Sequence, residues 1–216
     1  MSNNDPFYEC LCDALNAIDG FDVEEISNLH RYPADTSNKV FKELLCFACC
    51  TTNDAFITLG RKYIQKINRK WRLENILDAA KECLDFTDDW EYRRFLELVD
   101  LSAFELLRDV ILIGKDSDNP EVREASKDFE EYYDRLSSHT DECFHDEMLK
   151  AVLRNDSIFS LSEIARKFKF LGMNKDHMYE LLESLRSETK TEEQEDAILD
   201  LMDLLFGYCH PAWKIF

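Results

Sequence analysis

An all-α fold is predicted from three features of the sequence. Gly and Pro are scarce, at 5 and 4 of 216 residues, so few of the tight hairpins that join β-strands can form. Apolar residues recur at intervals of three and four along nearly the whole chain, which is the spacing of one helix face. Hydrophobic residues make up 45% of the chain, which is typical of a protein with a folded core.

The N-terminal segment, residues 1–52, predicts two helices joined by an irregular piece. Asp5 and Pro6 supply an N-cap and a first helical residue, and Gly20 ends the first helix. Pro33 interrupts the piece that follows. The second helix is predicted from an apolar stripe made by Val40, Phe41, Leu44, Leu45 and Ala48.

The middle segment, residues 53–153, predicts pairs of helices that begin near Asn53, Asp88 and Pro120. These starts are about 35 and 32 residues apart, and two helices per unit at that period are typical of an α-solenoid. Each pair buries one face against its neighbour, so about three units are needed for a stable stack.

Capping signals within this segment support the helix boundaries. Asp88 with Glu91 and Ser102 with Glu105 have the spacing of a capping box, in which each side chain satisfies a free N–H of the first helical turn. Gly114 is predicted to terminate the helix that follows.

The C-terminal segment, residues 154–216, predicts helices near 160–168, 175–187 and 192–207, followed by an apolar tail that docks onto the body. Its first two helices have the spacing of a helix-turn-helix. The second helix is not basic, so we interpret the pair as a packing hairpin and expect no nucleic-acid partner. No linker rich in Gly, Ser or Pro occurs, which predicts one continuous domain over 1–216.

Residues 116–125 resemble the turn and helix start between HEAT-like repeats, where an acidic Asn-Pro turn leads into a helix with Val and Ala in its core. Here Asn119 and Pro120 stand at the turn, and Val122 and Ala125 follow. Pro fits only the first helical turn. The resemblance covers the middle segment and implies a short solenoid of antiparallel helix pairs; an irregular helical bundle is the alternative.

Charge is abundant and segregated along the chain. Asp and Glu total 45 against 26 Lys and Arg, for a formal net charge of −19. Residues 116–147 hold twelve acids and three bases, 192–203 hold six acids and no base, and 61–72 hold six bases and no acid. Such a chain repels nucleic acid and anionic membranes and attracts basic proteins. The alternative is a solvated surface that only maintains solubility.

Motifs for catalysis or cofactor binding are weak. Cys10 with Cys12, and Cys46 with Cys49 and Cys50, lack the second spaced pair of a structural zinc site, and we interpret them as core cysteines. No phosphate-binding glycine loop and no serine-nucleophile or zinc-protease motif occurs. We therefore expect no catalytic residue, no metal and no cofactor.

A metal-dependent hydrolase is the alternative from the enzyme class. His145-Asp146 has the dipeptide found in helical phosphohydrolases, and His139 lies nearby in the sequence. That chemistry needs further His and Asp ligands on separate helices.

The N-terminus has neither a basic nor an apolar signal region, and no apolar run approaches the ~20 residues that span a bilayer. Eight cysteines without a secretion signal indicate reduced thiols. The sequence thus predicts a cytoplasmic protein without a membrane partner.

Size, acidity, free cysteines and the HEAT-like segment together resemble the acidic helical immunity proteins that bacteria produce against their own toxins. The resemblance implies that an acidic face covers the cationic cleft of a basic protein toxin, most often a nuclease. A helical-repeat scaffold without a toxin is the alternative. The predicted partner-binding residues are Asp85, Asp88, Asp89, Trp90, Asp116, Asp118, Glu121, Glu124, Asp128 and Glu131.

Overall fold

The computed structural model describes residues 5–209 and 214–216. Within them the secondary structure is entirely helical, so the all-α prediction is confirmed. Short 3₁₀ helices cover Val23–Arg31, Phe104–Leu106 and Arg186–Glu188. The α-helices are α1 Pro6–Asn16, α2 Ala34–Cys49, α3 Asp54–Lys66, α4 Arg69–Cys83, α5 Asp89–Ser102, α6 Leu107–Lys115, α7 Pro120–Ser138, α8 Thr140–Leu153, α9 Ile158–Phe170, α10 Lys175–Leu185 and α11 Glu192–Phe206.

Side-chain caps set the helix starts where the sequence predicts them. Asp5 accepts a hydrogen bond from the N–H of Phe7 and Pro6 is the first residue of α1. Asn53 caps α3 and Asp88 caps α5 in the same manner. Each cap satisfies a backbone N–H that the helix itself leaves without an acceptor.

Two boundary predictions are wrong. Ser102 does not begin a helix: it is the last residue of α5, and its buried hydroxyl donates to the carbonyl of Leu98 one turn earlier. Gly114 lies inside the last turn of α6 and does not terminate it. A Cβ at Gly114 would lie 2.1 Å from Ser126 Oγ and 2.3 Å from Tyr92 Oη, so glycine is needed there for close packing.

Contacts between residues divide the chain into two compact units, Met1–Phe129 and Glu130–Phe216. The boundary falls inside the segment predicted as helix pairs. The prediction of one continuous domain over 1–216 is not tested by this division and stays a prediction.

In the first unit, α2 is the central helix and packs against α3, α4 and α5. The five residues of its predicted stripe, Val40, Phe41, Leu44, Leu45 and Ala48, are fully buried. Helix α2 precedes residues 53–153, for which helix pairs are predicted. The core of this unit therefore includes a helix outside the predicted repeats. The stacking of antiparallel pairs as a solenoid stays a prediction.

In the second unit, α8 packs against α9, α10 and α11. Phe144 of α8 and Phe168 of α9 meet edge to face at the centre of this core. Residues 210–213 of the predicted docking tail lie outside the described residues. Of its last residues, Ile215 is buried and its N–H donates to the carbonyl of Leu204.

Among the described residues, no helix has the length and apolar character that crossing a bilayer requires.

Candidate functional site

Three turns between consecutive helices lie side by side at one edge of the first unit. They follow α2, α4 and α6, and hydrogen bonds join each to the next. The indole Nε1 of Trp90 donates to the carbonyl of Thr51 at 3.4 Å. The amide Nδ2 of Asn119 donates to the carbonyl of Thr87 at 2.8 Å. We call residues 51–54, 85–90 and 116–121 the turn ridge.

Local hydrogen bonds within each turn hold the ridge in one conformation. Asp85 accepts from both the N–H and the hydroxyl of Thr87. These bonds lower the pKa of the Asp85 carboxyl below its ordinary value. Glu91 of α5 in turn accepts from the N–H of Asp85 at 2.8 Å. Asp85 of the ridge and Glu91 of α5 therefore accept hydrogen bonds from backbone N–H groups of this turn.

The turn before α7 is fastened in a similar way. Asn119 accepts from the N–H of Glu121 and so caps α7 with the same side chain that reaches Thr87. The guanidinium of Arg123 donates to the carbonyls of Ser117 and Asp118. The turn is consequently held from both sides.

All ten predicted partner-binding residues are exposed. Some of them are engaged within the chain: Asp88 caps α5, and Asp128 pairs with Arg93 at 2.9 Å. Trp90 is 40% exposed and lies under the guanidinium of Arg94, whose Cζ is 4.3 Å from the ring centroid. Within the part of the chain that the structure describes, no ion pair is seen for Asp89, Asp116, Asp118, Glu121 and Glu124.

The structure brings most of these residues together. Asp85 to Trp90 and Asp116 to Glu121 come from two turns that the Asn119–Thr87 hydrogen bond joins. Glu124 and Asp128 follow along α7, where Arg93 of α5 reaches Asp128. Glu131 is exposed as well but belongs to the second unit.

Four of the six bases of segment 61–72 are buried or half-buried, which the sequence did not indicate, and the other two, Lys62 and Lys70, are exposed. Arg61 of α3 pairs with Glu97 of α5 at 2.7 Å, and Arg69 pairs with Glu105. Burial alone would raise the pKa of Glu97, but hydrogen bonds and charge from Arg61 and Arg94 outweigh it, so the pKa is lowered. The ion pairs of Arg61 and Arg69 thus join neighbouring helices. The exposed ridge carries mainly acids.

Arg72 is fully buried despite its charge. Its guanidinium donates to the carbonyls of Ile64, Gln65 and Ile67 at the end of α3, and to that of Ser102 at the end of α5. Helix ends leave carbonyls without intrahelical donors. Arg72 supplies those donors for two helices.

A pocket of about 540 Å³ lies beside the ridge and is lined by thiols. Cys10, Cys46 and Cys50 line it together with Glu43, whose pKa is raised by burial. The interpretation of these residues as core cysteines is correct for Cys49, which is buried, and wrong for Cys10 and Cys50, which are exposed. Cys12 and Cys46 are half-buried.

One of the two histidines of the hydrolase alternative, His145, is held by carboxylates of the second unit. His145 Nε2 lies 2.7 Å from Glu188 Oε1, and its Nδ1 lies 3.8 Å from Asp146. His139 is exposed at the start of α8. Over residues 5–209 and 214–216, no group of three or more His, Cys, Asp or Glu side chains is placed to hold a metal ion.

Comparisons of the chain with protein families, with curated proteins and with solved structures find no match in any of the three.

Proposed function

We propose that the chain binds a basic protein partner through the turn ridge. The observation that carries the proposal is the row of exposed carboxylates beside Trp90, on turns that hydrogen bonds hold in place. Such a surface needs little ordering when a partner binds, which favours affinity. Exposed aromatic residues flanked by charge are common anchors of protein interfaces.

Electrostatic steering supports a cationic partner. The net charge of −19 attracts a basic protein at long range, and the ridge gives that attraction a fixed location. Steering of this kind can raise an association rate to about 10⁸ M⁻¹s⁻¹ or more at low salt.

The partner proposed is a bacterial toxin, a nuclease in particular, and the chain acts as its immunity protein. A nuclease presents a cationic cleft that binds a phosphate backbone, and carboxylates arranged along a ridge can occupy that cleft in place of phosphates. Inhibition follows from occlusion, so no catalytic group is required of this chain.

For the fold, we propose a short HEAT-like stack of helix pairs within the first unit. Recurring contacts between residues about one repeat apart support it. Arg61 meets Glu97 over 36 residues, and Tyr92 meets Ser126 over 34. Arg93 meets Asp128 over 35. These contacts between α3 and α5 and between α5 and α7 support a repeat of about 35 residues.

A capture experiment tests the partner-binding proposal. The immobilised chain is exposed to a lysate of its source organism, and any stoichiometric basic partner is identified by mass spectrometry and then purified. Its dissociation constant is measured against the parent chain and a ridge variant. That variant neutralises four carboxylates through Asp89→Asn, Asp116→Asn, Asp118→Asn and Glu121→Gln.

A matched control neutralises four exposed acids of α11 through Glu193→Gln, Asp196→Asn, Asp200→Asn and Asp203→Asn. Both variants change the net charge by the same amount. We expect the ridge variant to bind roughly tenfold or more weakly at 0.1 M salt, and the control to lose much less. The difference should shrink toward 1 M salt, where the Debye length is about 3 Å. Equal losses in both variants, or affinity that is independent of salt, would contradict the proposal.

The immunity function has a separate readout. Addition of the chain should abolish the nuclease activity of the purified partner at equimolar ratio, and the ridge variant should require a higher concentration. A captured partner without toxic activity would leave the binding proposal standing and refute the immunity function.

A further inference from the structure

The pocket of the first unit has the size of a small-molecule site, which the binding of a protein at the ridge does not require. Its volume of about 540 Å³ lies within the range of about 300–1,000 Å³ that such sites occupy. Cys10 of α1 and Phe56 of α3 line it, together with Thr51 and Thr52 of the turn before α3. The remaining lining residues belong to α2 and its C-terminal end.

The residues from α2 form one face of that helix. Glu43, Cys46, Phe47 and Cys50 follow one another at positions i, i+3, i+4 and i+7, which is the spacing of side chains that lie above one another. The first three are half-buried and Cys50 is exposed. The central helix of this unit therefore presents an incompletely covered face to the pocket.

The carboxyl group of Glu43 gives this face a negative charge. In the described part of the chain, neither an ion pair nor a hydrogen bond is seen for that carboxyl. The preceding residue, Lys42, pairs with Glu82 of α4. Burial raises the pKa of the Glu43 carboxyl, which is the effect expected when water is partly removed from an acid and no cation lies beside it.

Aromatic rings lie close to the same carboxyl. Phe47, four residues after Glu43 on α2, meets Phe56 edge to face with ring centroids 5.3 Å apart. The face of an aromatic ring attracts an organic cation that lies within about 6 Å of its centroid. Rings and polarizable thiols also make favourable contacts with a flat apolar group. The pocket thus combines attraction for positive charge with an apolar surface.

We propose that this pocket binds a small organic cation with a flat apolar body, of the class of aromatic amidines and amines. The charged group pairs with Glu43, and the ring packs against Phe47 and Phe56. An anion of the same shape is repelled by Glu43 and by the net charge of −19. A neutral analogue keeps the apolar contacts and lacks the ion pair.

Three probes of nearly equal shape separate charge from shape: benzamidine, benzamide and benzoate. Each is titrated into the isotope-labelled chain, and changes in amide chemical shift report both the affinity and the place of binding. For a probe this small we expect benzamidine to bind with a dissociation constant of about 1 mM. Benzamide should bind roughly tenfold more weakly, and benzoate should not bind. The amides that shift should include those of residues 43–56.

Variants assign the binding to the pocket. Glu43→Gln should weaken benzamidine binding roughly tenfold and leave the affinity for benzamide unchanged, because only the ion pair is removed. Glu74→Gln, the matched control, neutralises an exposed acid of α4 and should change neither affinity. Cys46→Phe reduces the free volume and should weaken the binding of both probes. Circular dichroism of each variant checks that its helices are retained.

Three results would overturn the proposal: equal affinities for benzamidine and benzamide, parental affinity for benzamidine in Glu43→Gln, or shifts confined to the acidic residues of 85–121 and of α11. None of these measurements needs a protein partner. Failure of the pocket to bind the cation would therefore leave the proposed function of the ridge standing.

Discussion

The guanidinium Nε of Arg72 lies 3.0 Å from the backbone carbonyl oxygen of Ser102 and donates a hydrogen bond to it in the interior of the first unit. Three further carbonyls at the end of α3 accept from the same side chain. One charged residue of α4 thereby satisfies the ends of two other helices, and its replacement should affect the whole unit.

Arg72→Met is expected to lower the free energy of unfolding by at least about 3 kcal/mol, because each buried carbonyl left without a donor costs roughly 1–3 kcal/mol. Urea unfolding followed by circular dichroism measures the loss. Lys70→Met on the same helix is the control. Lys70 is exposed, and its replacement should change stability by no more than about 0.5 kcal/mol. A loss below about 1 kcal/mol for Arg72→Met would show that water or other donors reach those carbonyls.

Asn119 offers a way to separate helix capping from the cross-link between turns. Asn119→Ser keeps a capping oxygen for α7 but is too short to reach Thr87, so stability should be nearly retained. Asn119→Ala removes both functions and should cost about 1 kcal/mol. Hydrogen exchange at residues 85–90 should be faster in both variants. Unchanged exchange in Asn119→Ser would mean that the Thr87 contact does not hold the ridge.

Glu97 predicts a specific pH dependence of stability. Its pKa is lowered in the folded state, so the stabilisation it provides is fully present above its unfolded pKa of about 4.3 and is lost as pH falls through the folded pKa. Glu97→Gln should be less stable than the parent by roughly 1–3 kcal/mol at pH 7, and the difference should vanish at the acid end. Urea titrations between pH 7 and pH 3 provide the comparison, and a constant difference over that range would contradict it.

Lys167, Glu147 and Tyr132 form a hydrogen-bonded network in the second unit. Lys167 is 4% exposed, and its Nζ lies 2.9 Å from Glu147 and 3.0 Å from the Tyr132 hydroxyl. Lys167→Met leaves a partly buried carboxylate without its cation and should cost about 3–5 kcal/mol.

The double variant Lys167→Met/Glu147→Gln tests the origin of that loss. It should recover part of the stability, because the unpaired charge is removed along with its partner. Thermal unfolding of the parent and the two variants measures both effects. A double variant less stable than Lys167→Met alone would argue that Glu147 stabilises the unit independently of Lys167.

Local signals in the sequence predicted much of the fold. Asp5 and Asp88 are predicted correctly as caps because capping depends on residues within one helical turn. The prediction that Ser102 begins a helix is wrong because the same Ser–Glu spacing also occurs at a helix end. There the hydroxyl donates to a carbonyl of the preceding turn, here that of Leu98.

Contacts between residues that are far apart in the sequence could not be predicted from local patterns. Arg72 belongs to the basic segment 61–72, and charged residues are normally exposed. The structure buries Arg72, because carbonyls at the ends of α3 and α5 accept hydrogen bonds from its guanidinium. Cys10 and Cys46 are far apart in sequence, yet both line the pocket beside the ridge. The acids of the ridge are predicted from the sequence. The Asn119–Thr87 hydrogen bond, which brings two of its turns together, is not.

The placement of Trp90 provides an intrinsic fluorescence signal at the ridge. Its indole N–H is bound to a carbonyl of the neighbouring turn, and one face of the ring is covered by a guanidinium. Emission from such an indole shifts in wavelength when water replaces either contact. Once Trp71 and Trp213 are replaced by phenylalanine, titrations can therefore be followed at the ridge itself without an attached dye.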